Sequence, residues 1–136
     1  MNTEMVLTAD LRWLAYSALL ALVLWIPYIL AAMGKRGAGK VAGYPTGIFS
    51  DLPDWAQRSQ RAHMNMVENL APFAALVLAA NVAGAANETT ALAAQAFFWA
   101  RLVQAAVHTA GIPWVRTLAF TVAWLACLAI LWELVS

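Results

Sequence analysis

The chain has 136 residues, of which 63% are hydrophobic and only 11% are charged, and its formal net charge is +1. Soluble globular domains carry about 25% charged residues, so this composition excludes an ordinary soluble domain and indicates an integral membrane protein. The near-neutral charge gives no reason to expect nucleic acid as a partner.

Four blocks with little or no charge run along the chain. A helix that crosses a bilayer needs about 20 consecutive, mostly apolar residues. We predict four spans, at residues 11–33, 55–84, 89–111 and 114–134. These spans leave no room for a separate soluble domain. The sequence therefore predicts an all-α fold, a single transmembrane domain built as a four-helix bundle.

The first span contains Pro27, which removes one backbone hydrogen bond and should bend the helix. Glu4 and Asp10 precede the span and no basic leader is present, so we interpret it as a retained span and not as a cleaved signal peptide. Residues 34–53 form a long, glycine-rich first loop, and a loop of that length suggests a functional role. The second helix should begin near Asp54, because Asp54 and Gln57, three residues later, have the spacing of a capping box.

Basic residues set the expected orientation. Lys35, Arg36 and Lys40 lie in the first loop and Arg116 follows the third, whereas the second loop has no basic residue. By the positive-inside rule, the first and third loops face the cytoplasm and both termini lie outside. Arg12 opposes this assignment weakly.

Polar residues interrupt the second and third spans at regular spacings. In the second span, spacings of four, three and four residues place Arg61, Asn65, Glu68 and Pro72 on one helix face. In the third span, spacings of three and four residues place Arg101, Gln104 and His108 on one face. At about 1.5 Å per residue from the second loop, the polar residues of both spans reach depths of roughly 20 to 30 Å, beside the start of span four. The set predicted to converge at the cytoplasmic edge is Asn65, Glu68, Arg101, Gln104, His108 and Arg116, with Arg61 one turn away.

This set has surplus positive charge and a single carboxylate, Glu68. Guanidinium groups bind carboxylates in a bidentate manner, and Glu68 can accept an ammonium, so the set suits an anionic ligand that also carries an amine. An alternative stays open, in which Arg101 and Glu68 neutralise each other so that two helices can pack. Taken singly, Arg58, Arg61 and Arg116 are more typical of positive-inside anchors than of ligand contacts. No metal site is expected, because the two histidines lack a ligand spacing.

The segment from Arg61 through Asn65 and Glu68 to Pro72 resembles the signature of the MAPEG family, the membrane-associated proteins of eicosanoid and glutathione metabolism. Arg101 in span three and Arg116 at the start of span four are also similar to that family, and the resemblance covers nearly the whole chain. The family comprises microsomal glutathione transferases, leukotriene-C synthases and prostaglandin-E synthases, with many bacterial members.

The resemblance implies a homotrimer that binds glutathione, as co-substrate, between neighbouring subunits on the cytoplasmic side. For a bacterial member it implies the inner membrane and a small hydrophobic substrate that arrives from the lipid. Arg116 would stabilise the glutathione thiolate. The matched positions implied to hold the tripeptide are Arg61, Asn65, Glu68 and Arg101, together with Gln104 and His108, which stand where the synthases carry other polar residues.

Met64 and Phe120 also replace polar residues of the synthases, which argues against an eicosanoid synthase. We therefore expect a glutathione-dependent transferase or peroxidase acting on small hydrophobic electrophiles or lipid hydroperoxides. The alternative is a non-catalytic four-span membrane protein whose polar cluster serves oligomer packing or binds another anion. A small-multidrug-type transporter that uses Glu68 as its coupling carboxylate fits the accompanying arginines poorly.

Overall fold

A computed structural model of the chain describes residues 7–43 and 51–136, and the described residues are helical without a strand. The predicted all-α membrane bundle is confirmed. Residues 44–50 of the predicted first loop lie outside the described part. The helices are α1 (Ala9–Val23), α2 (Ile26–Arg36), α3 (Ala38–Ala42), α4 (Asp54–Val82), α5 (Glu88–Ala110) and α6 (Pro113–Val135).

The first predicted span is divided at a turn formed by Leu24 and Trp25. The chain resumes as α2 with Pro27 in its first turn, where the missing proline N–H costs no helical hydrogen bond. The first span is therefore interrupted just before Pro27, where the sequence predicted a bend. The predicted first loop is partly helical, since α2 continues to Arg36 and α3 follows it.

Helix α4 begins without the predicted capping box. Pro53 is the residue before the helix and provides no side-chain cap, while Gln57 Nε2 donates to the carbonyl of Leu52 at 2.9 Å. The capping-box prediction was wrong because Asp54 already lies within the first turn. A reciprocal box does occur at α5, where Asn87 Oδ1 accepts from the Thr90 N–H and Thr90 Oγ1 accepts from the Asn87 N–H.

Among the described helices, three are long and apolar enough to cross a membrane: Ala9–Arg36 taken together, α4 and α6. Helix α5 has the length but carries Gln95, Arg101, Gln104 and His108, which lower its hydropathy. It also makes the most extensive contacts with other helices, which are α1, α4 and α6. In the hydrophobic core, the ring of Phe73 in α4 stacks on the ring of Phe97 in α5, with ring centroids 3.8 Å apart. The helix least suited to lipid is thus the one that its neighbours cover.

Candidate functional site

A buried group of polar side chains joins α4 to α5. Asn65 Oδ1 accepts hydrogen bonds from Arg101 Nη2 at 2.7 Å and from Gln104 Nε2 at 2.9 Å. Arg101 Nη1 also donates to Gln104 Oε1. Arg101 is 2% exposed and Gln104 is 3% exposed. We call Asn65, Arg101 and Gln104 the inner polar cluster.

Arg101 has no carboxylate partner among the described residues, and its Nε is buried without a hydrogen-bond acceptor. A buried cation is expensive unless it is paired and fully hydrogen-bonded. Here only side-chain amide oxygens accept from the guanidinium. The cluster therefore keeps an unneutralised positive charge inside the helix bundle.

Two cavities open beside the inner polar cluster, at the end of the bundle where α5 gives way to α6. The first, which we call the amide cavity, has a volume of about 210 Å³. Its walls are Asn65, Gln104, His108, Arg116, Thr117 and Phe120. The second, which we call the arginine cavity, has a volume of about 200 Å³. Its walls are Arg58, Arg61, His108, Gly111, Ile112, Pro113 and Arg116.

The short connection between α5 and α6 creates this arrangement. Gly111 ends α5 with a positive φ of 82°, which glycine adopts without the steric penalty of a Cβ. Its N–H donates to the His108 carbonyl at 3.1 Å and the Ile112 N–H donates to the Val107 carbonyl at 2.9 Å. Pro113 then starts α6 at once, which brings Arg116 to the same two cavities as His108.

The structure brings most of the candidate residues together. Asn65, Gln104, His108 and Arg116 surround the amide cavity, with Arg101 directly behind Asn65 and Gln104. Arg61 lines the arginine cavity.

Glu68 lies apart from these residues. It lines neither cavity, is exposed, and has no ion pair or hydrogen bond within residues 7–43 and 51–136. Helix α4 buries Met66, and Glu68 is two residues further, about 200° around the helix. The suggested neutralisation of Arg101 by Glu68 is therefore absent from the described part of the chain.

Arg58 is the wall residue that the sequence argument undervalued, since it was interpreted as a membrane anchor. Its Nε donates to the carbonyl of Thr109 at 3.0 Å. The spacing of three residues from Arg61 places both arginines on one face of α4, and this was the available signal. Thr117 and Phe120 of the amide cavity follow Arg116 by one and four residues, so the same helical reasoning would have found Phe120.

A family model for the MAPEG family matches residues 14–136, which include every candidate site residue. A comparison with curated proteins found no match. Members of the MAPEG family are membrane glutathione transferases and peroxidases or proteins of eicosanoid metabolism, and they use glutathione as a substrate or cofactor. Since the match spans nearly the whole chain, the protein belongs to the MAPEG family.

Proposed function

We propose that this protein is a membrane-embedded, glutathione-dependent transferase or peroxidase that acts on small hydrophobic electrophiles or lipid hydroperoxides. The observation that carries the proposal is the amide cavity, which in a MAPEG chain combines hydrogen-bonding amides with the guanidinium of Arg116. The substrate reaches the site from the surrounding lipid, since the protein is a membrane bundle.

Arg116 is the catalytic residue in this proposal. A free thiol has a pKa of about 8.5, and a nearby cation lowers it, so that more of the nucleophilic thiolate is present at neutral pH. The described residues offer Arg116 no carboxylate or other hydrogen-bond partner for its side chain, so its charge remains available to a thiolate in the cavity. His108 borders the same cavity and provides a second polar contact.

The inner polar cluster would orient the tripeptide. Asn65 Oδ1 is occupied by Arg101 and Gln104, whereas Asn65 Nδ2 donates to no group in the described part of the chain and is available to a ligand carbonyl. Arg101 fixes the rotamers of both amides from behind, which makes it a positioning residue. Arg61 contributes charge at the adjoining wall.

Both reactions begin with attack by the thiolate sulfur. In transfer, a carbon–sulfur bond forms and the leaving group departs with its electron pair. In the peroxidase reaction, sulfur attacks the peroxide oxygen, and the O–O bond breaks to give a sulfenic acid and an alcohol. A second glutathione thiol then displaces water from the sulfenic acid and forms the disulfide.

A homotrimer is part of the proposal, and the exposed face of α4 supports it. Glu68 carries a charge at a depth where a lone carboxylate is costly, so a neighbouring subunit or its ligand would have to provide the partner. Ala71, Ala75 and Ala79 follow at four-residue spacing and are exposed in the single subunit. Small residues at this spacing let membrane helices approach closely. Glu68 would then receive the ammonium of glutathione from across the interface.

The proposed location is the cytoplasmic side of a bacterial inner membrane, with both termini outside. Arg58, Arg61 and Arg116 gather where α5 meets α6, while Asp10, Glu88 and Glu133 lie at the opposite end of the bundle. Positive charge near the ends of membrane helices favours the cytoplasmic side.

Turnover tests the proposal most directly. Purified protein is assayed with glutathione and either a generic aromatic electrophile or an organic hydroperoxide, comparing the wild type, Arg116→Ala and the control Arg12→Ala. We expect Arg116→Ala to lower kcat about 100-fold, a loss typical of removing one group that stabilises developing or reacting charge. Arg12→Ala, at the other end of the bundle, should match the wild type. Absence of activity and of a glutathione-dependent thermal shift in the wild type would refute the proposal.

A non-catalytic membrane protein is the second candidate, because the inner polar cluster and the unpaired Glu68 could both serve helix packing. This candidate predicts that Glu68→Gln weakens the oligomer equally with and without glutathione. The enzyme proposal predicts instead that glutathione stabilises the wild-type oligomer and stabilises Glu68→Gln much less.

A further inference from the structure

We propose that the arginine cavity binds the glycyl carboxylate of glutathione and that Arg58 is the residue that fixes it there. This inference rests on the function proposed above and names a specificity-determining residue for it. Glutathione would then occupy both cavities, with the glycyl end among the arginines.

Arg58 is held in place by the end of α5. Its Nε donates to the Thr109 carbonyl, which lies in the last turn of α5, where carbonyls lack a helical partner. The guanidinium also lies against the backbone of Gly111, since a Cβ added to that glycine would come within 3.1 Å of Arg58 Cζ. A side chain that only anchored the helix at the interface would extend toward water. Arg58 instead forms a wall of the cavity, and its terminal nitrogens have no acceptor in the described ranges.

The charges around the arginine cavity have one sign. Arg58, Arg61 and Arg116 contribute guanidinium groups, and none of the described wall residues is acidic. Pro113 at the start of α6 adds the positive end of a long helix. Arg36, also on the inner side, differs because it pairs with Asp51. The cavity therefore offers many hydrogen-bond donors and no anionic acceptor, which suits a carboxylate that has no ammonium beside it.

The two ends of glutathione differ in this respect. The γ-glutamyl end carries an ammonium next to its carboxylate, whereas the glycyl end carries a carboxylate alone. An ammonium would be repelled by three arginines, so the γ-glutamyl end is excluded from the arginine cavity. His108 and Arg116 border both cavities, so one ligand can extend from one to the other past the proposed thiolate position.

A thermodynamic cycle between protein and ligand tests this assignment. Glutathione and its glycyl carboxamide are titrated by calorimetry into the wild type and Arg58→Gln, reconstituted in nanodiscs of neutral lipid. We expect amidation to weaken binding to the wild type by roughly 10- to 100-fold, as for loss of a charge-assisted hydrogen-bonded pair. Arg58→Gln should bind glutathione more weakly, and amidation should cost it a much smaller factor than it costs the wild type, because Arg61 and Arg116 remain. Lys40→Gln, which removes an inner-side cation that lines neither cavity, should behave like the wild type.

Each outcome bears on a separate claim. If the wild type binds glutathione and amidation costs the wild type and Arg58→Gln the same factor, only the inference falls. If the wild type binds no glutathione, the proposed function falls first. Should Arg58→Gln affect affinity only in nanodiscs that contain anionic lipid, the cavity binds a lipid headgroup and the inference is overturned. Arg58→Lys, which keeps the charge but not the planar fork, serves if Arg58→Gln does not fold, and it should recover only part of the discrimination.

Discussion

An asparagine of α4 binds another helix at each end of the bundle. Asn65 binds α5 near the α5–α6 connection, which we call the inner end, and Asn81 binds α1 at the opposite end, which we call the outer end. At the outer end, Asn81 Nδ2 donates to the carboxylate of Asp10 at 2.8 Å, and Thr8 Oγ1 donates to Asn81 Oδ1 at 2.9 Å. Thr90 of α5 adds its hydroxyl at 3.5 Å from the same carboxylate. We call Asp10, Asn81 and Thr90 the outer polar cluster. At the inner end, Asn65 accepts from Arg101 and Gln104 instead.

The two ends differ in whether their buried polar atoms have hydrogen-bond partners. In the outer polar cluster the carboxyl group of Asp10, which is 2% exposed, accepts from the amide of Asn81, while the Thr90 hydroxyl donates to the Asn87 carbonyl at 2.9 Å. The inner end keeps Arg101 Nε and His108 Nδ1 buried without partners and holds three further arginines around a cavity. In the described part of the chain, Ser17 Oγ, near the middle of α1, is likewise buried without a partner. Buried polar atoms are normally satisfied, so those that are not call for an explanation. We therefore interpret the outer polar cluster as structural and the inner end as the site of the ligand proposed above.

The largest effect should come from replacing the asparagine of the inner end. Asn65→Leu removes the oxygen that accepts from Arg101 and leaves a buried cation with a single acceptor. We expect a loss of about 3 kcal/mol in the free energy of unfolding, measured by SDS titration in mixed micelles, together with loss of glutathione binding.

The matched control is Gln95→Leu, which removes a partly buried amide of α5 that makes no hydrogen bond within the described residues. It should change the unfolding free energy by less than about 0.5 kcal/mol. Equal losses in the two variants would show that Asn65 contributes only as a polar residue in an apolar bundle.

At the outer end the same kind of substitution should separate stability from binding. Asp10→Ala removes a buried, hydrogen-bonded carboxylate and should lower the unfolding free energy by about 2 kcal/mol. The glutathione affinity measured by calorimetry should not change, because this cluster touches neither cavity. Asp10→Asn keeps an acceptor for Asn81 and should lose less stability. A fall in affinity for Asp10→Ala at full occupancy of the folded state would show that the two ends are coupled.

Sequence reasoning was most successful where periodicity and family pattern act together. The helical fold, the interruption of the first span near Pro27 and the membrane assignment follow from composition and spacing alone. The proximity of Asn65, Gln104, His108 and Arg116 was also predicted, because helical depth can be counted from a turn. Glu68 was grouped with them by depth, but depth does not specify the side of a helix that faces the bundle.

Two features of the molecule could not be predicted from the sequence and are visible only in the structure. The start of α4 depends on whether Asp54 lies before or within the first turn, and both fit the same letters. The role of Arg58 depends on a carbonyl 51 residues away, whose position is set by how α5 ends. Contacts between distant backbone and side-chain groups leave no periodic trace in a single sequence, which is why an arginine at an expected membrane boundary was interpreted as an anchor.

Two glycines with positive φ provide the smallest and most selective test, since one lies at each end of the bundle. Gly84 has φ 71° with open space where a Cβ would lie, whereas Gly111 has φ 82° and faces the guanidinium of Arg58. An alanine at either position is strained by about 1 kcal/mol, so Gly84→Ala and Gly111→Ala should lose similar stability. Only Gly111→Ala also displaces Arg58, and it should weaken glutathione binding about fivefold, equivalent to about 1 kcal/mol. Calorimetry on both variants isolates that difference, because the backbone cost is common to them. Equal affinities of the two variants would mean either that Arg58 keeps its contact with the ligand despite the added methyl group, or that it makes no such contact. Titrating the glycyl carboxamide into Gly111→Ala distinguishes these two cases, because only a retained contact preserves the penalty for amidation.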